Sequence, residues 1–195
     1  MPKLTRMEPF EALDRATAEA GRRVRQVSPD QWDLPTPCGE WTVRDLVNHL
    51  VRGNTMSVML LDSASRDEIM AMFRSAEPGE DLVAGYAETE AVQNAAFRAA
   101  GALDRTVHHP MGDIPATLLL QFRTGDAALH AWDLARAIGA DEELDGELVQ
   151  ALYDGFLPMA PMMAGSGAFG EGASGTAPDD APVQTKMLDL AGRRP

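Results

Sequence analysis

Cysteine occurs once in this chain, at Cys38, which excludes an internal disulfide framework and any zinc site built from cysteines alone. A bound metal would therefore need histidine and carboxylate ligands, and only four histidines are available: His49, His108, His109 and His130. Basic residues are also scarce, with 17 Lys and Arg against 30 Asp and Glu, a formal net charge of −13. The resulting pI of about 4.6 means an acidic surface. Such a surface lacks the basic patch that phosphate contact needs, so neither nucleic acid nor an anionic membrane is an expected partner. No run of about 18 apolar residues occurs, so no helix is expected to span a bilayer. The N-terminus turns acidic at Glu8 and Glu11 and has no apolar signal core, which makes a cytoplasmic location the expectation.

What is present reads as helix. With 195 residues, 45% hydrophobic and 24% charged, the chain suits one globular domain spanning 1–195. Phe10, Leu13, Ala16, Ala20, Val24 and Val27 recur at three- and four-residue steps, predicting a helix over 8–27 that ends at Ser28-Pro29. Three prolines and a glycine make 29–41 a loop. Thr42 followed by Asp45 nearly matches a capping box and opens a helix over 42–62. A short helix is expected over 66–74, and a long one over 80–102 with Leu82, Val83, Tyr86, Val92, Ala96 and Phe97 inward. Residues 104–114 suggest a small two-stranded or irregular excursion turning at Gly112-Asp113. Pro115 first and Gly139 just past the end bracket a fourth long helix over 115–138. A further helix over 144–157 meets Pro158 and Pro161. The Gly/Ala/Ser/Pro-rich stretch 164–182 reads as extended, and 183–195 as a short helix and tail. There is no internal repeat. Four long helices without a convincing sheet predict an all-α fold, a four-helix bundle with short extra helices.

Chemistry concentrates on the fourth long helix, in Thr124-Gly-Asp-Ala-Ala-Leu-His-Ala-Trp-Asp-Leu-Ala-Arg136. Asp126 and His130 are four apart, so both project from one helix face, about 5–6 Å from each other. Phe122, Leu129 and Leu134 nearby imply that this face points inward. Either the pair simply hydrogen-bonds to itself, or it grips an ion. His49, on the second long helix among core-type residues, is in isolation a satisfied core histidine. Taken with the other pair it supplies a third ligand, and three protein ligands leave a fourth tetrahedral position open, as in catalytic rather than structural zinc sites.

Other residues are ambiguous or weak. Asp133 and Asp45 each admit two readings: a hydrogen bond that fixes a liganding imidazole, or a local cap or ion pair, with Arg136 as the alternative partner of Asp133. His108 and His109 are adjacent on an extended segment and should point to opposite faces. Cys38 has Glu40 beside it, the wrong sign to activate a thiol, and is expected to pack beneath Trp41. Met159, Met162 and Met163 read as core filling, and Met70, Met72 and Phe73 as a pocket mouth.

The segment Trp32-Asp-Leu-Pro-Thr-Pro-Cys-Gly-Glu-Trp-Thr-Val-Arg-Asp-Leu-Val-Asn-His-Leu50, with His130-Ala-Trp-Asp-Leu-Ala-Arg136 some eighty residues on, resembles the actinobacterial branch of the DinB-like superfamily. Within it the chain is similar to the metal-binding N-terminal domain of mycothiol-dependent maleylpyruvate isomerase and its single-domain relatives. The ending, Asp179-Asp-Ala-Pro182 through Leu190-Ala-Gly-Arg-Arg194, is also like theirs. The resemblance implies a DinB-like four-helix bundle. It also implies a metal held by the histidine of an Asp-Leu-x-x-His motif and by a carboxylate and histidine four apart: here His49, Asp126 and His130. The better-known members carry glutamate where Asp126 stands, and the full isomerase has an additional C-terminal domain absent from this sequence.

Function follows in outline. The expectation is a divalent ion, zinc first and nickel or iron as alternatives, with mycothiol as a cosubstrate. The reaction expected is thiol-dependent isomerisation or S-transfer on a small electrophile. With water in the open position the same ligands would support metal-dependent hydrolysis. A non-catalytic metal or small-ligand binding protein is the rival from another class, and a homodimerisation module is a third.

Overall fold

The structure, a computed structural model, describes residues 7–75, 79–166 and 172–195. The chain divides into two compact units. One is Ala16–Glu142; the other combines the described residues up to Arg15 with Glu143–Pro195. Both are helical. The long helices are α1 (Pro9–Val24), α2 (Val43–Leu61), α4 (Leu82–Phe97) and α5 (Ala116–Ile138), with the shorter α3 (Arg66–Ser75) between α2 and α4. Two strands, β1 (Thr106–His109) and β2 (Gly112–Pro115), form an antiparallel hairpin ahead of α5. The expected all-α class is thus the observed one, with this hairpin as the sole sheet among the described residues.

Local signals set the helix ends. The capping box at α2 is complete: the Thr42 side chain accepts from the Asp45 amide and the Asp45 carboxylate accepts from the Thr42 amide. Asp81 caps α4 through the Ala84 amide at 3.0 Å, which starts that helix two residues later than expected. α5 begins after Pro115 and ends at Gly139, whose φ of 70° lies in the left-handed region that glycine tolerates. Its 23 residues give a rod of about 35 Å at 1.5 Å per residue.

α2 packs against both α4 and α5. Leu46, Val47, Leu50, Leu60, Phe97, Leu119, Leu120, Leu129, Trp132 and Leu134 are buried in this unit. The α1 residues of the same unit join α4 through Tyr86, whose hydroxyl donates to the Thr17 carbonyl at 2.9 Å. In the other unit α6 (Gly146–Phe156) packs on α8 (Val183–Leu190), burying Leu148, Val149, Met187 and Leu188. Arg15 there is bracketed by Glu11, Asp145 and Glu147 at 2.6, 3.0 and 2.8 Å. No helix among the described residues is long and apolar enough to cross a membrane.

Several expectations differ from the structure. Val92 is 55% exposed and Gln93 is fully buried in its place, because positions 82, 86, 93 and 97 share the inward face at a 3.6-residue period. The hairpin turns at Pro110-Met111, and Gly112 already pairs with His109 as the first residue of β2. α6 ends at Phe156, as expected ahead of Pro158, but helical structure resumes beyond it: Pro158 lies in a single 3₁₀ turn, and Pro161 in the first turn of α7 (Ala160–Ser166), where its missing N–H costs nothing. The extended stretch expected over 164–182 therefore starts late. Residues 167–171 of it lie outside the described residues, and 172–182 carry no regular secondary structure. Met163 is buried as expected, whereas Met162 is exposed.

Candidate metal centre

α2 and α5 bring His49, Asp126 and His130 to one place, with donor atoms all within 4.8 Å of one another. The Asp126 Oδ1 oxygen lies 3.1 Å from His49 Nε2 and 3.4 Å from His130 Nε2. The two rings meet nearly edge to face, with centroids 4.9 Å apart. Four ligands at about 2.1 Å around a tetrahedral zinc lie about 3.4 Å from one another, so the separations through Asp126 suit a shared ion. The donor set, two imidazoles and one carboxylate, suits a divalent metal. A hydrogen-bonded His–Asp–His cluster has the same contacts, and on these distances alone both descriptions stand.

Exposure distinguishes the inner and outer parts of the site. His130 is 9% exposed by side chain, whereas Asp126 and His49 are 26% and 33% exposed. The cluster thus opens to solvent on the His49 side and is walled on the His130 side. Trp41, from the loop before α2, stands beside both rings with centroids 4.8 Å from His49 and 5.9 Å from His130.

The inner residues of the cluster are held from behind. The Asp133 carboxylate, fully buried, lies 2.9 Å from His130 Nδ1. With Nδ1 engaged there, Nε2 is the ring nitrogen that faces Asp126, the orienting role common beside liganding histidines. The contact is the one that the orienting reading of Asp133 requires, and Arg136 pairs with Glu142 at 2.8 Å and stacks over Trp132. For Asp45 the opposite holds, since its carboxylate is engaged at the start of α2. The Cys38 thiol donates to the same Asp133 oxygen at 3.1 Å and lies 3.7 Å from His130 Nδ1. It was expected only to pack beneath Trp41, so its place against the rear of His130 is a correction. Cys38, His130 and Asp133 form a second grouping of potential ligand atoms within 4.8 Å.

The main residue missed in the sequence is Arg123. It is 4% exposed and its Nη1 donates to Asp126 Oδ2 at 2.7 Å, so the two oxygens of Asp126 face different partners. Burial alone would push the Asp126 pKa up, but the charges of His49, Arg123 and His130 hold it well below the usual carboxylate range. Burial alone would lower His130; Asp126 foremost, then Asp133 and Cys38, hold it well above the ordinary histidine value. Negative charge thus converges on His130 and favours a cation there, proton or metal. His108 and His109 do not converge. His108 pairs with Asp113 at 3.0 Å on the exposed hairpin, and the His109 ring sits 6.0 Å from that of Phe122.

Comparison with known proteins agrees with this architecture. A family profile described as "Mycothiol maleylpyruvate isomerase N-terminal domain" matches residues 13–135, a span containing all three clustered residues. Uncharacterized proteins from two strains of Mycobacterium tuberculosis, CDC 1551 and H37Rv, are 35% identical over 162 residues, covering 83% of this chain and 85% of theirs. Among solved structures, the crystal structure of the mycothiol-dependent maleylpyruvate isomerase superposes with a TM-score of 0.61 at 20% identity, over 86% of this chain and 77% of that one. An alanine mutant of the same enzyme gives 0.60 at 18% identity over the same shares. At these identities the likeness is one of fold.

Proposed function

The chain belongs to the mycothiol maleylpyruvate isomerase N-terminal domain family, and on that premise we propose that it is a divalent-metal protein catalysing thiol-dependent isomerisation or S-transfer on a small electrophile. His49, Asp126 and His130 are the proposed ligands, zinc the proposed ion and a mycothiol-type thiol the proposed cosubstrate. The observation that carries this reading is the convergence of both Nε2 atoms on a single oxygen, Asp126 Oδ1, at 3.1 and 3.4 Å. When bound, a divalent ion supplies a Lewis acid that lowers the pKa of a thiol and favours its thiolate.

The chain's own residues do the rest. Asp133 takes the His130 Nδ1 proton in a hydrogen bond and fixes which nitrogen faces the site. Trp41 flanks both imidazoles and limits water on that side. The partial exposure of His49 and Asp126 leaves a way in for a small molecule, which a closed structural site would not need. The same geometry admits water as the activated group, and hydrolysis is the nearest enzymatic alternative. The observation that favours a non-catalytic reading is that the His–Asp–His contacts already satisfy one another as hydrogen bonds. A single functional domain over 1–195 and a cytoplasmic site of action belong to this proposal.

Metal analysis of untagged protein, followed by a screen of small electrophiles with and without mycothiol, tests it. Stoichiometric metal and turnover dependent on the thiol are expected. Metal-independent turnover would overturn the reading, and stoichiometric metal with turnover indifferent to the thiol would favour the hydrolase. Stoichiometric metal without turnover would favour the binding protein.

A further inference from the structure

Arg123 is a full positive charge placed where the sequence pattern asks for an apolar residue. Its side chain is 5% exposed, and burying a guanidinium is costly unless its N–H groups are matched. Three helices supply the match. Nε donates to Gln93 Oε1 of α4 at 3.0 Å, Nη2 to Asn54 Oδ1 of α2 at 2.9 Å, and Nη1 to Asp126 Oδ2 of α5 at 2.7 Å. Gln93 and Asn54 are themselves buried, and Asn54 is braced in turn by Thr89 at 3.3 Å. Room for the fork comes from Gly53: a Cβ there would sit 2.6 Å from the Arg123 central carbon. α2 and α4 therefore set the direction of a rigid donor on α5.

From this geometry we infer that Arg123 is a positioning residue for the proposed metal site, occupying Asp126 Oδ2 so that the carboxylate offers an ion Oδ1 alone. The inference rests on the metal reading and deepens it. A free carboxylate can grip an ion through one oxygen or both. With Oδ2 engaged by a planar, pre-organised guanidinium, the one-oxygen mode is imposed and a coordination position is kept for an incoming ligand. The guanidinium also offsets the charge of Asp126, so the loaded site stays more positive and attracts an anionic ligand such as a thiolate more strongly. A lysine in its place would offer one compact donor rather than a fork held at three points.

The test uses the full chain titrated with Co²⁺, whose visible absorption is strong in four-coordinate sites and weak in higher coordination. Wild type should give intense bands. Arg123→Met, which frees Oδ2, should weaken those bands and change Co²⁺ affinity by about 10- to 100-fold, the usual range for partners behind a ligand. Arg123→Lys, which keeps a cation near Oδ2 but not the fork, should restore the intensity only in part. If Arg123→Met binds Co²⁺ with the wild-type spectrum and affinity, the inference fails and the metal reading stands. If folded wild type binds Co²⁺ with only weak bands, the inference fails and the metal reading stands; if it binds no Co²⁺ by equilibrium dialysis, the metal reading fails and takes the inference with it. Should Arg123→Met not fold, Gln93→Met decides the matter, because it loosens the fork without touching Asp126. A smaller shift in the same direction supports the positioning role, and an unchanged spectrum overturns it.

Discussion

His108 and His109 are neighbours in the chain and part company in space, while His49 and His130 stand 4.9 Å apart by ring centroid on helices joined only through intervening structure. The difference lies in the backbone that carries them. On β1 successive side chains leave opposite faces, so one histidine reaches the exposed Asp113 and the other rests near Phe122. Neither is backed by a buried acid. The distant pair sits where α2 packs on α5, and each residue is oriented by something behind it: Asp133 behind His130, Trp41 beside His49. A site is built from faces of packed elements and their rear supports, and closeness in sequence counts for little.

Metal retention should break the two pairs apart with the largest effect. His130→Ala and His49→Ala each remove an imidazole from the cluster and should leave purified protein without stoichiometric metal. His108→Ala and His109→Ala should keep full wild-type content. Elemental analysis of all four under identical purification checks this, and loss of metal in either hairpin variant would move the site. Asp126→Ala should follow the first group, its affinity falling by more than the 10- to 100-fold or so typical of an outer partner. Asp126→Glu restores the ligand length of the better-known members and should hold metal at least as well as wild type. If Asp126 served only as a hydrogen-bond partner of the histidines, the alanine variant would lose thermal stability while its metal content stayed unchanged.

A smaller effect separates ligands from the groups that hold them. Asp133→Asn keeps the shape of the side chain but removes the charge that favours a cation on His130. Metal affinity should drop by about tenfold, within the range for carboxylates behind liganding histidines, measured by competition with a chromophoric chelator. A drop as large as that of His130→Ala would place Asp133 among the ligands instead.

The order of these effects follows what could be read from the chain. Helix ends were legible at the strongest local motifs, as with Thr42 and Asp45 or Pro115 and Gly139, while the lone Asp81 cap of α4 was passed over by two residues. The three clustered residues were legible because an i, i+4 pair fixes a face and a second helix offered a histidine among core positions. Arg123 was not, since an arginine in a helix ordinarily reaches solvent. Its two traces were faint: a glutamine at an inward position of α4 and a glycine inside α2, each explained only when the guanidinium between them is seen. The contact of Cys38 was hidden for another reason. Its loop has no periodicity, so nothing in 29–41 says which helix face the thiol meets.

Cys38 also supplies the smallest expected effect, and it sharpens the contrast between the front and rear of His130. Sγ lies 3.7 Å from His130 Nδ1 and 3.1 Å from Asp133 Oδ2, on the ring edge away from Asp126. Were the thiol a ligand, the ion would belong to the Cys38–His130–Asp133 grouping and would use Nδ1, displacing the hydrogen bond to Asp133. Were it only a donor to Asp133, serine would do the same work, because its hydroxyl donates one hydrogen bond from nearly the same position. Cys38→Ser should therefore keep its metal content, and Co²⁺-loaded protein should show the same spectrum with and without the thiol. A thiolate bound to Co²⁺ adds an intense near-ultraviolet charge-transfer band. Finding that band in wild type and losing it in Cys38→Ser would shift the ion to the rear of His130 and leave His49 outside the site.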